Sequence, residues 1–253
     1  MFFEAVMASW LSNGRQPNGM IIRLQGFDRG VFGGNFHTHN ALHIPPGLDV
    51  VCFSNGLDYA RGWRYIARQA RAGRIIMSVD STHLLNLRHV NESDDAWRRP
   101  YPNEGEEMSF DQVVVYEDGD PTTPGRNEKG RRSKSAKLAI VTYGNGVVTS
   151  LRAQRILAQE HGILGITVID TPYLSRPSEG LLAALAGHDR VVFADVCKAG
   201  QHPLAGFVTR LQAMDALPSR WQCVGAQPTY NPLGTTLTFT SEADIVEACL
   251  KVL

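Results

Sequence analysis

The chain has 253 residues, 43% of them hydrophobic, and its 25 basic and 25 acidic residues give a formal net charge of zero. Zero net charge provides no overall attraction for nucleic acid or an anionic membrane surface, so neither is expected as a partner. The four cysteines, Cys52, Cys197, Cys223 and Cys249, form no C-x-x-C pair, which favours buried thiols over a zinc site or a disulfide framework.

The first part of the chain is predicted to hold a helix, a strand, a loop, a strand, a helix and a strand, in that order. The apolar pattern predicts helices over residues 2–11 and 57–72, and strands over 20–24, 48–53 and 75–79. A long loop rich in glycine and histidine occupies residues 26–46, between the first two strands.

Residues 91–136 are rich in proline, glycine and charge, which predicts an interdomain linker with one short strand at 112–116. The linker's basic run from Arg126 to Lys137 follows a stretch rich in acidic residues, so a solvated segment is favoured over a phosphate-binding or nuclear-import patch. After the linker, strands are predicted at 138–143, 163–169, 190–195 and 221–224, and helices at 147–161, 177–187, 203–215 and 241–253. Strands that alternate with helical crossovers predict an α/β fold with a mainly parallel sheet.

Two short features of the second half have both a chemical and a structural interpretation. The run Gly144-Asn145-Gly146 lies between a strand and a helix, where backbone amides could cradle a phosphate, but Thr149 replaces the third glycine of the dinucleotide fingerprint. Cys197 follows a strand, where a nucleophile could be presented, but no base arrangement accompanies it. A tight turn and an ordinary cysteine are the favoured interpretations.

The loop at 26–46 contains the residues best suited to chemistry, His37, His39 and His43. The spacing of His37 and His39 would bring both side chains to one face of an extended segment, as in a metal site, but no carboxylate or cysteine lies close enough in sequence to complete one. Histidine titrates near neutral pH, which favours a role as acid, base or hydrogen-bond donor at a partner's active site. No metal ligand is assigned.

Several segments match the motifs of one family in order. Residues 36–40 read F-H-T-H-N and residues 43–51 read H-I-P-P-G-L-D-V-V, followed by D-Y-A-R-G at 58–62, a strand ending near Asp80, A-I-V-T-Y-G at 139–144 and V-I-D at 168–170. In this order they resemble the beta subunit of the decarboxylating component of 2-oxo acid dehydrogenase complexes, in the transketolase-like thiamine diphosphate superfamily. The resemblance covers nearly the whole chain apart from the linker.

The resemblance implies the latter part of a pyrimidine-binding domain over residues 1–110, a linker over 111–135 and a transketolase C-terminal domain over 136–253. It also implies thiamine diphosphate with magnesium, held jointly with an alpha subunit in a tetramer of two alpha and two beta chains. A lipoyl acyltransferase core would be a further partner. His37 corresponds to the family histidine that assists acyl transfer to the lipoyl arm, and His39 is the alternate.

The sequence also departs from the family pattern. The family glutamate that hydrogen-bonds the aminopyrimidine ring precedes the histidine loop, whereas Glu4 is the only glutamate before the loop here and lacks the surrounding motif. We therefore expect a chain that lacks the N-terminal part of the family and is inactive alone. Its first sheet should be incomplete or paired with something else, because a missing strand leaves backbone groups unpaired.

Three interpretations of function stay open. The first is a beta-type enzyme subunit that acts on a branched-chain 2-oxo acid or on pyruvate, and the second is a non-catalytic relative that serves as an assembly or docking module. The third is a free-standing nucleotide-binding or hydrolase domain. No apolar run approaches the roughly 18 residues of a membrane helix, and no signal or transit peptide is visible. We expect the mitochondrial matrix in a eukaryote and the cytoplasm in a bacterium.

Overall fold

A computed structural model of the chain describes residues 2–13, 15, 18–27, 42–117, 135–200, 203–228 and 239–253. Its elements in chain order are α1 (Phe2–Leu11), β1 (Met20–Gln25), β2 (Leu48–Val51), α2 (Gly56–Arg71), β3 (Ile75–Asp80), a 3-10 turn (Thr82–Leu84), β4 (Val114–Tyr116), β5 (Ser135–Thr142), α3 (Gly146–Glu160), β6 (Leu164–Asp170), α4 (Glu179–Leu185), β7 (Arg190–Lys198), α5 (Pro203–Ala213), β8 (Arg220–Ala226) and α6 (Glu242–Val252). Within these ranges no helix has both the length and the apolar character needed to cross a membrane.

The strands form two sheets. The first has the order β1-β3-β2 and is entirely parallel, and the second has the order β4-β6-β5-β7-β8 and is parallel except for β4. The predicted α/β fold with mainly parallel sheets is confirmed. Strand β4 lies in the segment predicted as a linker, where it pairs antiparallel with β6. The division at 1–110, 111–135 and 136–253 stays a prediction.

Local sequence fixes the helix boundaries. The Asn55 side chain accepts a hydrogen bond from the backbone N–H of Asp58 and so caps the start of α2. Ser241 is the N-cap of α6, where Ser241 and Asp244 form a reciprocal capping box.

The apolar core runs from one sheet to the other. Alternate residues of β5 point to opposite faces, so Val141 joins a cluster with Val50 and Met77 of the first sheet, while Ile140 joins a second cluster with Leu157 of α3. The first cluster also receives residues from α5, and the second receives residues from α6. The second sheet is therefore covered on both faces, and the first sheet packs against one of them.

The two edges of the first sheet differ. Residues 172–175 cover the outer edge of β2 through backbone hydrogen bonds from Cys52 to the Pro172 carbonyl at 2.9 Å and from Leu174 to the Val50 carbonyl at 2.8 Å. Among the described residues no strand pairs with the outer edge of β1, whose last three residues are exposed.

Candidate functional site

The carboxyl ends of the two sheets meet at a junction. Ser54, just beyond β2, donates a buried hydrogen bond to Asp170 at the end of β6. Gly144, just beyond β5, lies so close to Cys52 that an added Cβ would be 2.7 Å from its Sγ. Open α/β sheets bind ligands beyond the carboxyl ends of their strands, so this junction is the first place to search for a site.

A cleft of about 330 Å³ opens beside the junction, at the carboxyl ends of β1 and β3 and the first turn of α2. Its volume is within the range of small-molecule sites. Aromatic rings and polar groups line it, and the lining residues are Arg23, Phe53, Ser54, Asn55, Gly56, Tyr59, Asp80, Ser81, Leu84, Leu85, Leu87, Trp97 and Arg99. We call it the carboxyl-edge cleft.

Asp80 is the single acid among the described residues that line the carboxyl-edge cleft. Its Oδ1 accepts a hydrogen bond from Ser78 Oγ at 2.9 Å, and its Oδ2 accepts one from Tyr59 Oη at 3.1 Å and another from Arg23. Burial, followed by the charge of Asp80, raises the pKa of Tyr59, so the phenol stays neutral and donates its proton to the carboxylate. The side chain of Arg23 is 57% exposed, which leaves part of its guanidinium facing water.

A second acid, Asp170, lies behind the cleft at the junction. Burial raises its pKa well above the ordinary value, with a further contribution from the charge of Asp58, so the environment favours the neutral form of Asp170. Its Oδ2 accepts the hydrogen bond from Ser54, while its Oδ1 is buried without a partner among the described residues. The hydrogen bond between Ser54 and Asp170 therefore joins the carboxyl ends of the two sheets.

Two residues that line the cleft, Trp97 and Arg99, come from the segment predicted as a linker. Trp97 is buried, and its indole N–H donates to the Ser54 carbonyl at 3.1 Å. The guanidinium of Arg99 lies over the Trp97 ring, 5.9 Å from its centroid. These contacts fix the segment against the carboxyl end of β2.

The loop with the predicted site residues begins at the junction. Phe27, the last described residue before it, is buried, and its ring packs edge-on against Tyr143 with 5.7 Å between centroids. Its carbonyl accepts a hydrogen bond from the Asn145 side chain. His37 and His39 themselves lie outside the described residues, so their predicted roles stay predictions.

The last residues of that loop, which immediately precede β2, lie at the amino ends of the strands of the first sheet. Ile44 and Pro45 precede β2, and His43 beside them is exposed. Helix α1 is also at this edge, because a Cβ added at Gly47 would be 2.9 Å from Val6 Cγ1. Glu4 of α1 is therefore remote from the carboxyl ends of the strands, which agrees with its lacking the motif of the family glutamate.

The run Gly144-Asn145-Gly146 forms a buried turn. Gly144 has a φ of +54°, which favours glycine, and a Cβ at Gly146 would be 2.3 Å from Thr142 Oγ1. The cavity beside the first turn of α3 measures about 10 Å³, room for one water at most. A phosphate cannot enter, so the favoured tight-turn interpretation agrees with the structure.

Cys197 belongs to a closed polar network. Tyr143 Oη donates to Asp195 Oδ1 at 2.6 Å and lies 3.4 Å from Cys197 Sγ. Asp195 also accepts hydrogen bonds from the backbone N–H groups of Cys197 and Leu204, which ties β7 to the first turn of α5. Burial raises the pKa of the Cys197 thiol well above its ordinary value, so this cysteine does not supply a thiolate nucleophile.

Within the described ranges no cluster of three or more His, Cys, Asp or Glu residues is arranged to hold a metal ion. The metal interpretation of His37 and His39 falls outside those ranges. In the sequence, Asp80 marks only the end of a predicted strand and Asp170 only the end of the V-I-D motif, and nothing points to Trp97. Trp97 gave no usable signal because it lies in an irregular segment without periodicity.

No protein-family model matches the sequence, and no curated protein matches it. Among solved structures the chain is similar to one described as "Split gene transketolase, inactive beta4 tetramer", with a TM-score of 0.61, 14% identity, and coverage of 99% of this chain and 73% of that chain. The chain has a transketolase-like fold. At this identity the likeness shows the fold alone, so the 2-oxo acid dehydrogenase beta subunit stays a finer prediction.

Proposed function

We propose that this chain is a beta-type subunit of a thiamine diphosphate-dependent 2-oxo acid dehydrogenase that is inactive without its partner. In this proposal it takes part in the oxidative decarboxylation of a branched-chain 2-oxo acid and the transfer of the acyl group to lipoamide. The observation that carries the proposal is the anchoring of Phe27 at the carboxyl-end junction by Tyr143 and Asn145. The loop that starts there contains His37 and His39.

His37 is the proposed catalytic residue and His39 the alternate. A histidine side chain titrates near neutral pH, which suits proton donation during acyl transfer to a lipoyl arm. The cofactor, when bound, supplies the electron sink for decarboxylation.

The described residues do not make a complete thiamine diphosphate site. Those that line the carboxyl-edge cleft include no glutamate, and Asp80 already accepts hydrogen bonds from three side chains. The first turn of α3 is closed to a phosphate. We therefore propose that an alpha subunit holds the diphosphate and magnesium, and that this chain contributes the wall next to the junction.

The proposed assembly contains an alpha subunit, a second copy of this chain and a lipoyl acyltransferase core. The similar structure is described as an inactive beta4 tetramer, which supports the idea that chains of this fold associate with one another. In a eukaryote we propose the mitochondrial matrix as the location, and in a bacterium the cytoplasm.

One observation favours a non-catalytic assembly or docking module instead. Asp80 and Ser54, two of the hydrogen-bonding groups nearest the junction, are already engaged within the chain. If no cofactor enters, these pairs are purely structural, and the transketolase-like fold would serve as a scaffold.

Calorimetry separates the two proposals. The chain is co-expressed with an alpha subunit, and thiamine diphosphate with Mg²⁺ is titrated into the purified complex and into the chain alone. We expect saturable binding to the complex only. A complex that binds no cofactor would contradict the enzyme-subunit proposal and support the non-catalytic assembly or docking module.

The histidines give the finer test. In the active complex, His37→Ala should lower acyl transfer to lipoamide by about 10²-fold or more while decarboxylation with an artificial electron acceptor continues. His39→Ala is the matched control and should have the smaller effect. If His39→Ala has the larger effect, the catalytic assignment passes to His39.

A further inference from the structure

A second cleft, of about 470 Å³, lies at the amino ends of the strands of the first sheet, away from the carboxyl-edge cleft. It is bounded by α1, the start of β2, the start of β3, residues 173–176 and α5. We call it the amino-edge cleft. It shares no lining residue with the carboxyl-edge cleft, so the proposed function makes no use of it.

The floor of the amino-edge cleft carries a neutralised ion pair. Arg74 makes two hydrogen bonds to Asp49, from Nε at 2.7 Å and from Nη2 at 2.8 Å, and Tyr173 Oη donates to the same carboxylate at 2.7 Å. Asp49 is the single acid among the described lining residues. Its charge is balanced by Arg74, so the floor neither attracts nor repels an anion strongly.

Two further guanidinium groups line the same cleft, those of Arg176 and Arg210. Both residues are exposed, and neither forms an ion pair with a described carboxylate. Arg210 is in the last turn of α5, where the helix dipole favours a cation, but that explanation does not extend to Arg176 in the loop before α4. The described residues that line the cleft therefore carry an excess of two positive charges.

The rim beside these charges is apolar. Trp10 is 59% exposed, and its Nε1 would be 3.3 Å from a Cβ at Gly47, so the indole lies directly against the backbone there. Ile44 and Pro45 continue the same wall. An exposed indole held against the backbone provides a flat surface for stacking with a planar ligand.

We propose that the amino-edge cleft binds a small organic phosphate monoester, with its phosphate between Arg176 and Arg210 and its aromatic or apolar body against Trp10. Guanidinium groups match phosphate oxygens in a bidentate manner. A phosphate monoester carries about two negative charges at pH 7 and balances the two arginines, whereas a carboxylate would leave one positive charge uncompensated. The cleft volume is suited to a ligand the size of a mononucleotide.

Calorimetry on the full chain tests this site with AMP, inorganic phosphate and adenosine as probes. We expect AMP to bind more tightly than phosphate, and adenosine to bind most weakly. Arg176→Gln and Arg210→Gln should each weaken AMP binding about tenfold or more, and lysine at either position should restore part of the affinity. Trp10→Ala should weaken binding of AMP but not of phosphate.

Two matched controls make the result specific. Arg155→Gln removes a cation that lines neither cleft, and Leu85→Ala changes an exposed residue of the carboxyl-edge cleft, so both should bind AMP as the unchanged chain does. Thermal unfolding checks that each variant folds. The site is contradicted if neither phosphate nor AMP binds saturably, or if the two glutamine variants bind AMP normally. Because no thiamine diphosphate is present, that failure would leave the proposed function untouched.

Discussion

The two sheets each place an aspartate–tyrosine pair near the carboxyl end of a strand, but the two pairs have different surroundings. In the first sheet Asp80 and Tyr59 line an open cleft of about 330 Å³. In the second sheet Asp195 and Tyr143 are sealed beside a cavity of about 10 Å³. The same chemical pair therefore has a partly accessible form and a closed form, and access decides which edge can meet a ligand.

The donors around each acid explain the difference. Asp195 accepts two backbone N–H groups as well as the tyrosine, so its oxygens hold β7 and α5 together. Asp80 accepts only side-chain hydrogen bonds in the contacts described above, and its partner Arg23 is largely exposed. Side chains can rearrange toward a ligand, whereas the backbone donors around Asp195 cannot do so without moving the helix.

The largest expected effect contrasts the two acids. Asp195→Ala leaves the Tyr143 hydroxyl and two backbone N–H groups buried without an acceptor, and should lower the free energy of unfolding by about 3 to 5 kcal/mol. Asp80→Ala, at the open edge, should cost about 1 kcal/mol because water can replace the carboxylate. Urea unfolding measures both, and equal losses would mean that the two edges are equally closed.

The junction should be sensitive to added volume. Gly144→Ala places a methyl group 2.7 Å from Cys52 Sγ at a φ of +54°, and we expect a loss of about 2 to 3 kcal/mol. Gly105→Ala is the matched control, since Gly105 has a φ of +81° but no atom within 4 Å of an added Cβ, and should lose about 1 kcal/mol. Cys52→Ala should recover part of the loss in the Gly144→Ala background. No recovery would place the strain elsewhere.

The raised pKa of Asp170 predicts a dependence of stability on pH. Burial raises the folded-state pKa of Asp170 above the ordinary 3.8, so above that pH the unfolded chain loses a proton that the folded chain keeps. This difference lowers the free energy of unfolding as the pH rises. Asp170→Asn is always neutral and should be more stable than the unchanged chain by about 1 kcal/mol at pH 7, but not at pH 3. Urea unfolding at both pH values checks the sign, and an equal difference at the two values would contradict a raised pKa of Asp170.

The smallest effect should come from the exposed side of the cleft. Arg23→Gln removes a pair in which the arginine is 57% exposed, and should change the free energy of unfolding by about 0.5 kcal/mol or less. A loss above about 2 kcal/mol would show that the Arg23–Asp80 pair stabilises the fold and is not available to bind a ligand.

Sequence periodicity was sufficient to predict the elements of this fold. Successive residues of β5 point to opposite faces of the sheet, and both faces are buried. The regular alternation of strands and helices after residue 135 predicts parallel strands joined by helical crossovers. The helix N-cap at Ser241 was predictable because a cap depends on residues within one turn.

The candidate site was harder to predict because its contacts are distant in sequence. The hydrogen bond from Ser54 to Asp170 joins positions 116 residues apart, and the one from Trp97 to Ser54 joins positions 43 apart. No local pattern encodes such pairs, since they arise from packing the two sheets at an angle that periodicity does not specify. The two acids were visible in the sequence, but their different access to solvent was not.

Hydrogen exchange on the chain assembled with an alpha subunit tests most directly whether the carboxyl ends of the strands in the first sheet contact the cofactor. With thiamine diphosphate and Mg²⁺ present, we predict slower exchange at residues 53–59 and in the segment that follows Phe27, and unchanged exchange at 145–149 and 195–204. Protection confined to 145–149 and 195–204 would contradict this account.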